Sequence, residues 1–328
     1  MRSATKIALG LALVTVAGLG AWLYTPDEPA AALDATYRTA DTEYLTVDGV
    51  RLRVRDSGPR SAPVVLMLHG FGASLETWEA WAAQLVPAYR VIRFDLPGFG
   101  LTGPDPTGDY SDARALRLIA ALLDQLQIAQ VNLIGHSLGG RIAWRFAAEY
   151  PDRVHTLVLI SPDGFASPGF RYDTAPDVPL LLRVLPVTLP TALLRMNLAA
   201  AYSDPARLSD STVRRYRDLM RAPGVREAII DRLAQVRLVD PGPLLERIRA
   251  PTLLLWGTRD AMIPFANAAD YTRHIPQARL VPIVGLGHVP FEETPDAALV
   301  PVRAFLDANR GATLVADSQR APTGPRRL

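Results

Sequence analysis

Residues 131–150 constrain the fold more than any other stretch. An apolar run, Val131-Asn132-Leu133-Ile134, meets Gly135-His136-Ser137-Leu138-Gly139, and Ile142, Ala143, Phe146, Ala147 and Tyr150 then recur at helical spacing until Pro151. The first run is short and carries β-branched residues, as a buried parallel strand does. The second has the period of a helix packed on one face, running over about 138–150. A strand that turns this sharply into a helix brings backbone close to backbone, which is the steric reason for glycine at 135 and 139. Such a turn holds Ser137 out at the end of a sheet, where it can attack a carbonyl carbon if a base lies nearby. The unpaired N–H groups of the helix start lie directly behind it. A bare G-x-S-x-G arises by chance in roughly one chain in ten of this length, so the setting carries the reading.

The same alternation extends along the body. Residues 43–47 and 50–56 alternate around Asp48-Gly49 as a hairpin. Apolar runs at 64–68, 91–94, 156–160, 252–256 and 280–284 read as further strands, and helices are expected near Trp78, Trp81 and Leu85, over 112–126 and from Thr294-Pro295 onward. Strands alternating with helices imply an α/β fold with a mostly parallel sheet covered on both faces. Between 163 and 245 the pattern changes to helical periodicity with many prolines. That segment reads as a helical insertion between two core strands.

The amino end differs from the body. Arg2 and Lys6 precede an uncharged apolar stretch over 7–24, and Asp27 and Glu28 follow it. Its length approaches a bilayer span, so residues 1–40 read as a signal anchor and linker; Ala30-Ala31-Ala32 leaves a cleaved, secreted form as the alternative. Either way the charge bias keeps the amino end in the cytoplasm and exports the folded domain to the periplasmic or extracellular side. Residues 310–328 lack apolar periodicity and read as a disordered tail.

Charge narrows the partners. The formal net charge is +2, Lys6 is the only lysine and the arginines are dispersed, which gives no footprint for nucleic acid. The chain has no cysteine, excluding disulfides, thiolate metal sites, a cysteine nucleophile and a lipoprotein anchor.

A serine nucleophile needs a base, and the base needs an orienting acid. Of the five histidines, His69 and His136 sit in glycine-rich turns, His155 begins a strand and His274 lies near a helix end. His288 follows the strand Val281-Pro282-Ile283-Val284 in a Gly285-Leu286-Gly287-His288 loop, where chemistry gathers in open α/β sheets. Asp260 ends Gly257-Thr258-Arg259-Asp260 directly after another strand and can orient His288; Asp163 is its rival. Leu138 N–H and Phe71 N–H, the latter in the loop His69-Gly70-Phe71-Gly72, are the expected oxyanion donors.

Taken together, His69-Gly70-Phe71-Gly72, D-L-P-G-F-G-L-T at 95–102, G-H-S-L-G-G at 135–140, G-T-R-D at 257–260 and G-H-V-P-F-E at 287–292 resemble the α/β-hydrolase fold family over residues 41–309. The resemblance implies Ser137 as nucleophile, His288 as base, Asp260 as acid, and 163–245 as a cap over the site. It implies a structural turn, not catalysis, for Asp95. Serine at 137 argues against the epoxide-hydrolase and haloalkane-dehalogenase branches, which attack with a carboxylate. Val289 replaces the tryptophan common after the histidine in the C–C hydrolases of ring-cleavage products. No metal or organic cofactor is implied.

The cap stretch 178–198 holds Leu180, Leu181, Leu182, Val184, Leu185, Val187, Leu189, Leu193, Leu194, Met196 and Leu198, with only Arg183 and Arg195 charged. It reads either as packing onto the core or as a lipophilic acyl pocket or bilayer-facing surface. With the anchor, the arrangement is similar to membrane-anchored monoacylglycerol-lipase-like members of the family. The expected activity is hydrolysis of lipophilic carboxylic esters through an acyl-enzyme. Cleavage of C–C, lactone or amide bonds on the same triad, and a ligand receptor on a hydrolase scaffold, are the alternatives.

Overall fold

The computed structural model describes residues 23–166, 172–174, 178–180 and 182–319, with backbone alone over 311–319. The strands are β1 (Thr42–Val47), β2 (Val50–Ser57), β3 (Val64–Leu68), β4 (Arg90–Phe94), β5 (Val131–His136), β6 (Val154–Ile160), β7 (Thr252–Gly257) and β8 (Ala278–Ile283). They form one eight-stranded sheet in the order β1-β2-β4-β3-β5-β6-β7-β8. The β1–β2 and β2–β4 pairings are antiparallel, and every later pairing is parallel. The chain thus folds as the mostly parallel α/β sheet that the alternation implied.

Strand side chains alternate between two cores. Leu66, Leu68, Leu133, Leu157, Leu159, Leu254 and Trp256 feed one. Val65, Met67, Ile134, Val158, Ile160, Leu253 and Leu255, their chain neighbours, feed the other. Burial on both faces is why these strands are apolar without alternation. The helices are α1 (Ala30–Tyr37), α2 (Glu79–Leu85), α3 (Asp112–Gln125), α4 (Leu138–Glu149), α5 (Thr191–Ala199), α6 (Asp210–Met220), α7 (Val225–Gln235), α8 (Gly242–Leu245), α9 (Ala268–His274), α10 (Pro290–Glu293) and α11 (Pro295–Gln319). Helices α3, α4 and α9 cover the first core, while Trp78, α2 and α11 cover the second. Ser111 caps α3 by accepting from Arg114 N–H at 3.2 Å. Helix α11 continues to Gln319, ten residues into the stretch expected as a tail, and 320–328 lie outside the described residues.

Among the described residues, the insertion 163–245 contributes helices α5 to α8 and no strand to the sheet. Its apolar stretch is only partly packed. Leu189 and Leu194 are buried, whereas Leu180, Leu182, Val184, Val187, Leu193 and Met196 are exposed; Leu181 lies outside the described residues.

No helix among the described residues is long and apolar enough to cross a membrane. The expected span at 7–24 lies outside them except for Leu23 and Tyr24. The segment from Leu23 onward is not a free linker. Thr25 N–H donates to Val187 O at 3.0 Å, Thr188 Oγ1 to Leu23 O at 2.8 Å, and Leu189 N–H to Thr25 Oγ1 at 3.1 Å. Asp27 pairs with Arg226 and Glu28 with Arg221, both at 2.6 Å. The Ala30–Tyr37 segment forms α1, buries Leu33 and donates from Tyr37 OH to Asp218 of α6 at 2.9 Å. Residues 23–40 therefore form a strap across the cap.

Candidate active site

The β5–α4 turn is built by exclusion. A Cβ at Gly139 would come within 2.5 Å of His69 O, and one at Gly135 within 2.7 Å of Ala143 Cβ. Ser137, between them, sits at φ 50° and ψ −116°, a backbone conformation that L side chains rarely adopt. Its N–H donates to Ile160 O at 3.0 Å, and its carbonyl accepts from Arg141 N–H at 2.9 Å and Asp163 N–H at 3.0 Å. The strained residue is thus pinned from both sides, at the carboxyl end of β5.

The His69–Gly72 loop lies against this turn. A Cβ at Gly70 would meet His136 Nδ1 at 2.7 Å and Ser137 Cβ at 3.3 Å. Among the described residues no hydrogen bond occupies the Phe71 N–H. The Leu138 N–H opens α4, where first-turn donors lack intrahelical acceptors. The Phe71 ring is 44% exposed and stands edge-on to Phe99 at 5.5 Å, so it borders the site from solvent.

His288 and Asp260 are brought together from the ends of β8 and β7. Asp260 Oδ2 lies 2.8 Å from His288 Nδ1, both side chains are buried, and Asp260 Oδ1 accepts from Met262 and Ile263 N–H at 2.9 Å each. A carboxylate facing Nδ1 places the ring proton there and leaves Nε2 as the acceptor. The two loops pack closely: a Cβ at Gly257 would run into Gly287 O and Leu286 O. Asp163, the rival acid, pairs instead with Arg141 Nη1 at 2.9 Å.

The other histidines hold structure. His69 is buried; Nδ1 donates to Gly70 O at 2.8 Å and Nε2 accepts from Leu96 N–H at 2.9 Å. Burial pushes its imidazole down to about 4. His136 Nε2 donates to His288 O at 3.0 Å, its ring lies 4.6 Å from the His288 ring, and burial followed by the neighbouring His288 holds its imidazole well below the ordinary range. His155 faces Asn309 O at 2.9 Å, and His274 faces Glu246 at 3.0 Å. Asp95 is a turn anchor. It accepts from Leu75 and Leu101 N–H at 2.7 and 2.8 Å and pairs with Arg53.

Several residues that frame the site carried no sequence signal of doing so. Ala201 O accepts the His288 N–H at 2.7 Å, and Glu293 accepts from Gly287 N–H at 2.6 Å. Glu292 closes the G-H-V-P-F-E motif at 287–292, and Glu293 lies just past it, ahead of the helix expected from Thr294-Pro295. No group of three or more His, Cys, Asp or Glu among the described residues could hold a metal ion. A cavity of about 330 Å³ lined by Ala30, Asp34, Tyr44, Arg51, Leu101 and Pro104, among others, includes none of Ser137, Asp260 or His288. It lies where α1 crosses the sheet edge, and it has no histidine to work with its carboxylate.

Residues 63–295 match the alpha/beta hydrolase fold family model. The chain is 31% identical over 286 residues to an uncharacterized protein of Mycobacterium tuberculosis, covering 82% of each. It is 28% identical over 245 residues to the 2-hydroxy-6-oxo-6-phenylhexa-2,4-dienoate hydrolase of Burkholderia cepacia, covering 73% of this chain and 85% of that one. Among solved structures it is similar to a membrane phospholipase A described as a bacterial virulence factor, with a TM-score of 0.69 and 26% identity over 93% of this chain and 99% of that one.

Proposed function

The chain belongs to the α/β-hydrolase fold family, and on that premise we propose that it is a serine hydrolase of lipophilic carboxylic esters. The contact between Asp260 and His288, with the His136 ring tilted against it and Ser137 next along the strained turn, carries this reading. Ser137 Oγ attacks the ester carbonyl carbon and its proton passes to His288 Nε2. The resulting oxyanion accepts from the N–H groups of Phe71 and Leu138, a stabilisation typically of about 3–4 kcal/mol per donor. Collapse expels the alcohol, protonated by His288, and leaves an acyl group on Ser137. Water, deprotonated by the same imidazole, then releases the acid and regenerates the hydroxyl.

Lipophilic esters are favoured by the exposed apolar side chains of the cap and by the likeness to a phospholipase. Val289 after His288 also favours esters over ring-cleavage products. The Burkholderia relative favours the second reading, C–C bond hydrolysis on the same residues. A panel of chromogenic esters of increasing chain length, set against a dienone acid, separates the two. Labelling by a fluorophosphonate, followed by mass spectrometry of the Ser137 peptide, tests the nucleophile. Absence of label would favour a ligand receptor over either enzyme.

In the same reading, the stretch at 7–24 anchors the domain on the exported face of a membrane. The strap supports this, because it pairs Leu23 and Tyr24 with Thr188, next in the chain to the exposed Val187 and within the apolar cap stretch. Cleavage after Ala32 would cut through α1 and discard the pairs Asp27–Arg226 and Glu28–Arg221. The amino-terminal sequence of the mature protein is the test, and a start at Leu33 would overturn the anchor.

A further inference from the structure

Glu292 and Glu293 end α10, one short turn beyond His288, and take no part in the acyl transfer. Glu293 is buried, and both of its carboxylate oxygens are engaged. Oε1 accepts from Gly287 N–H at 2.6 Å, in the loop that carries His288. Oε2 accepts from the N–H and hydroxyl of Ser203, at 3.1 and 2.7 Å, in the cap. The carboxylate thus ties together two chain segments that are far apart in sequence. Next to it, the His288 N–H donates to Ala201 O at 2.7 Å. Space is tight enough that a Cβ at Gly287 would lie 2.6 Å from Ala201 O, 2.7 Å from Ser203 N and 2.9 Å from Glu293 Oε1.

Glu292 fastens the same cap segment from the other side. It accepts from Tyr202 OH and Arg215 Nη2, both at 2.6 Å, from Tyr216 OH at 3.3 Å, and from Thr77 Oγ1 of the core. The 201–203 segment is therefore held by part-buried hydrogen bonds to both glutamates.

We propose that Glu293 is a positioning residue for His288, and that the cap, through Ala201 and Ser203, forms part of the mount that holds the base. This rests on His288 being the base. The backbone of His288 is fixed at three points: Gly287 N–H by Glu293, His288 N–H by Ala201 O, and His288 O by His136. Two of the three depend on the cap or on a carboxylate bonded to it. A cap displaced by substrate would carry the imidazole with it, so the cap sets the geometry of proton transfer as well as the shape of the pocket.

The full chain in detergent tests this with Glu293→Gln and Ser203→Ala. The amide of Glu293→Gln can still accept from Gly287 N–H but turns a donor toward the Ser203 N–H. Proton transfer tolerates little misplacement, so kcat should fall about 10–100-fold. KM should stay within about twofold, the rate of fluorophosphonate labelling should fall with kcat, and Tm should move by only a few degrees. Ser203→Ala removes only the hydroxyl and should lower kcat by about three- to tenfold. An unchanged kcat in either variant overturns the proposal, as does a loss of kcat matched by a rise in KM and a fall in Tm. If Glu293→Gln does not fold, Ser203→Ala decides alone. Failure of the native chain to label at Ser137 would overturn the hydrolase reading and this inference together; native labelling with an unaffected Ser203→Ala overturns this inference only.

Discussion

Asp260 faces His288 Nδ1 with one carboxylate oxygen, at 2.8 Å, while its other oxygen is gripped by the backbone N–H groups of Met262 and Ile263. The carboxylate cannot rotate without breaking two bonds, so the imidazole it orients is fixed from behind. An amide at this position has one oxygen for two demands. In Asp260→Asn, either the Met262 and Ile263 donors or the His288 Nδ1–H faces an N–H group, and the ring is driven toward the wrong tautomer. Ester turnover should fall by roughly 10³–10⁴-fold, with the folded structure intact by circular dichroism. Turnover within tenfold of the native chain would remove Asp260 from the role.

The two buried histidines near the site make stability depend on pH with a definite sign. His69 is pushed from an ordinary 6.5 down to about 4, and His136 lower than its ordinary value as well, both first by burial. Above about 6.5 neither imidazole is protonated in either state, and their contribution is fully present. As pH falls below 6.5, the unfolded chain takes up protons that the folded chain refuses. Stability should therefore fall with a slope that steepens toward about 1.4 kcal/mol per pH unit for each imidazole as pH drops about a unit below 6.5. For His69 the loss ends near 4. Urea midpoints between about pH 7 and 5.5, above the range of most carboxylates, measure it, and His69→Gln should show a shallower slope. A flat profile in the native chain would contradict the burial of both rings.

Sequence patterns revealed the parts of this molecule whose causes are local. The strands at 64–68 and 131–134 could be read because both faces of the sheet are buried, which leaves uninterrupted apolar runs. Gly135 and Gly139 could be read because the turn brings backbone to backbone. The strap could not. Asp27 and Arg226 lie far apart in the chain, and no periodicity links them, so the alanine-rich segment that folds as α1 reads as a linker. The tie between Glu293 and Ser203 was hidden for the same reason. The cap stretch shows a further limit: a row of leucines has one appearance whether, like Leu194, it is buried or, like Leu193, it is exposed.

Ser137 stores strain that substitution should release. At φ 50° and ψ −116° a Cβ is disfavoured, and such a residue typically costs about 1–3 kcal/mol. Ser137→Ala keeps the Cβ and the strain, whereas Ser137→Gly removes both, against a loss of roughly 0.5–1 kcal/mol from the greater freedom of glycine in the unfolded chain. Both variants should be inactive, yet Ser137→Gly should be the more stable, by about 1 kcal/mol. Denaturant titration of the pair checks this. Ser137→Gly less stable than Ser137→Ala by the roughly 0.5–1 kcal/mol of glycine freedom alone would mean that the Ser137 side chain bears no strain.

The strap offers a test that separates its attachment from the stability of the core. Arg226 is buried in α7 and donates to Asp27 at 2.6 Å, whereas Asp27 is partly exposed. A pair screened on one side contributes only about 0–1 kcal/mol, so Asp27→Asn should leave Tm within a few degrees of native. Its local effect should be larger, because the strap has few other ties to charged groups of the cap: Glu28–Arg221, Arg221 Nε to Pro26 O and the Tyr37–Asp218 hydrogen bond. Limited proteolysis with peptide mapping should show faster cleavage within 23–40 in Asp27→Asn, and faster still when Glu28→Gln is added, while cleavage within the sheet stays unchanged. If strap cleavage keeps its native rate in the double variant, the remaining hydrogen bonds, among them those of Leu23 and Thr25 with Val187, Thr188 and Leu189 and that of Glu28 N–H with Arg221 O, suffice to hold the strap, and the ion pairs add nothing to it.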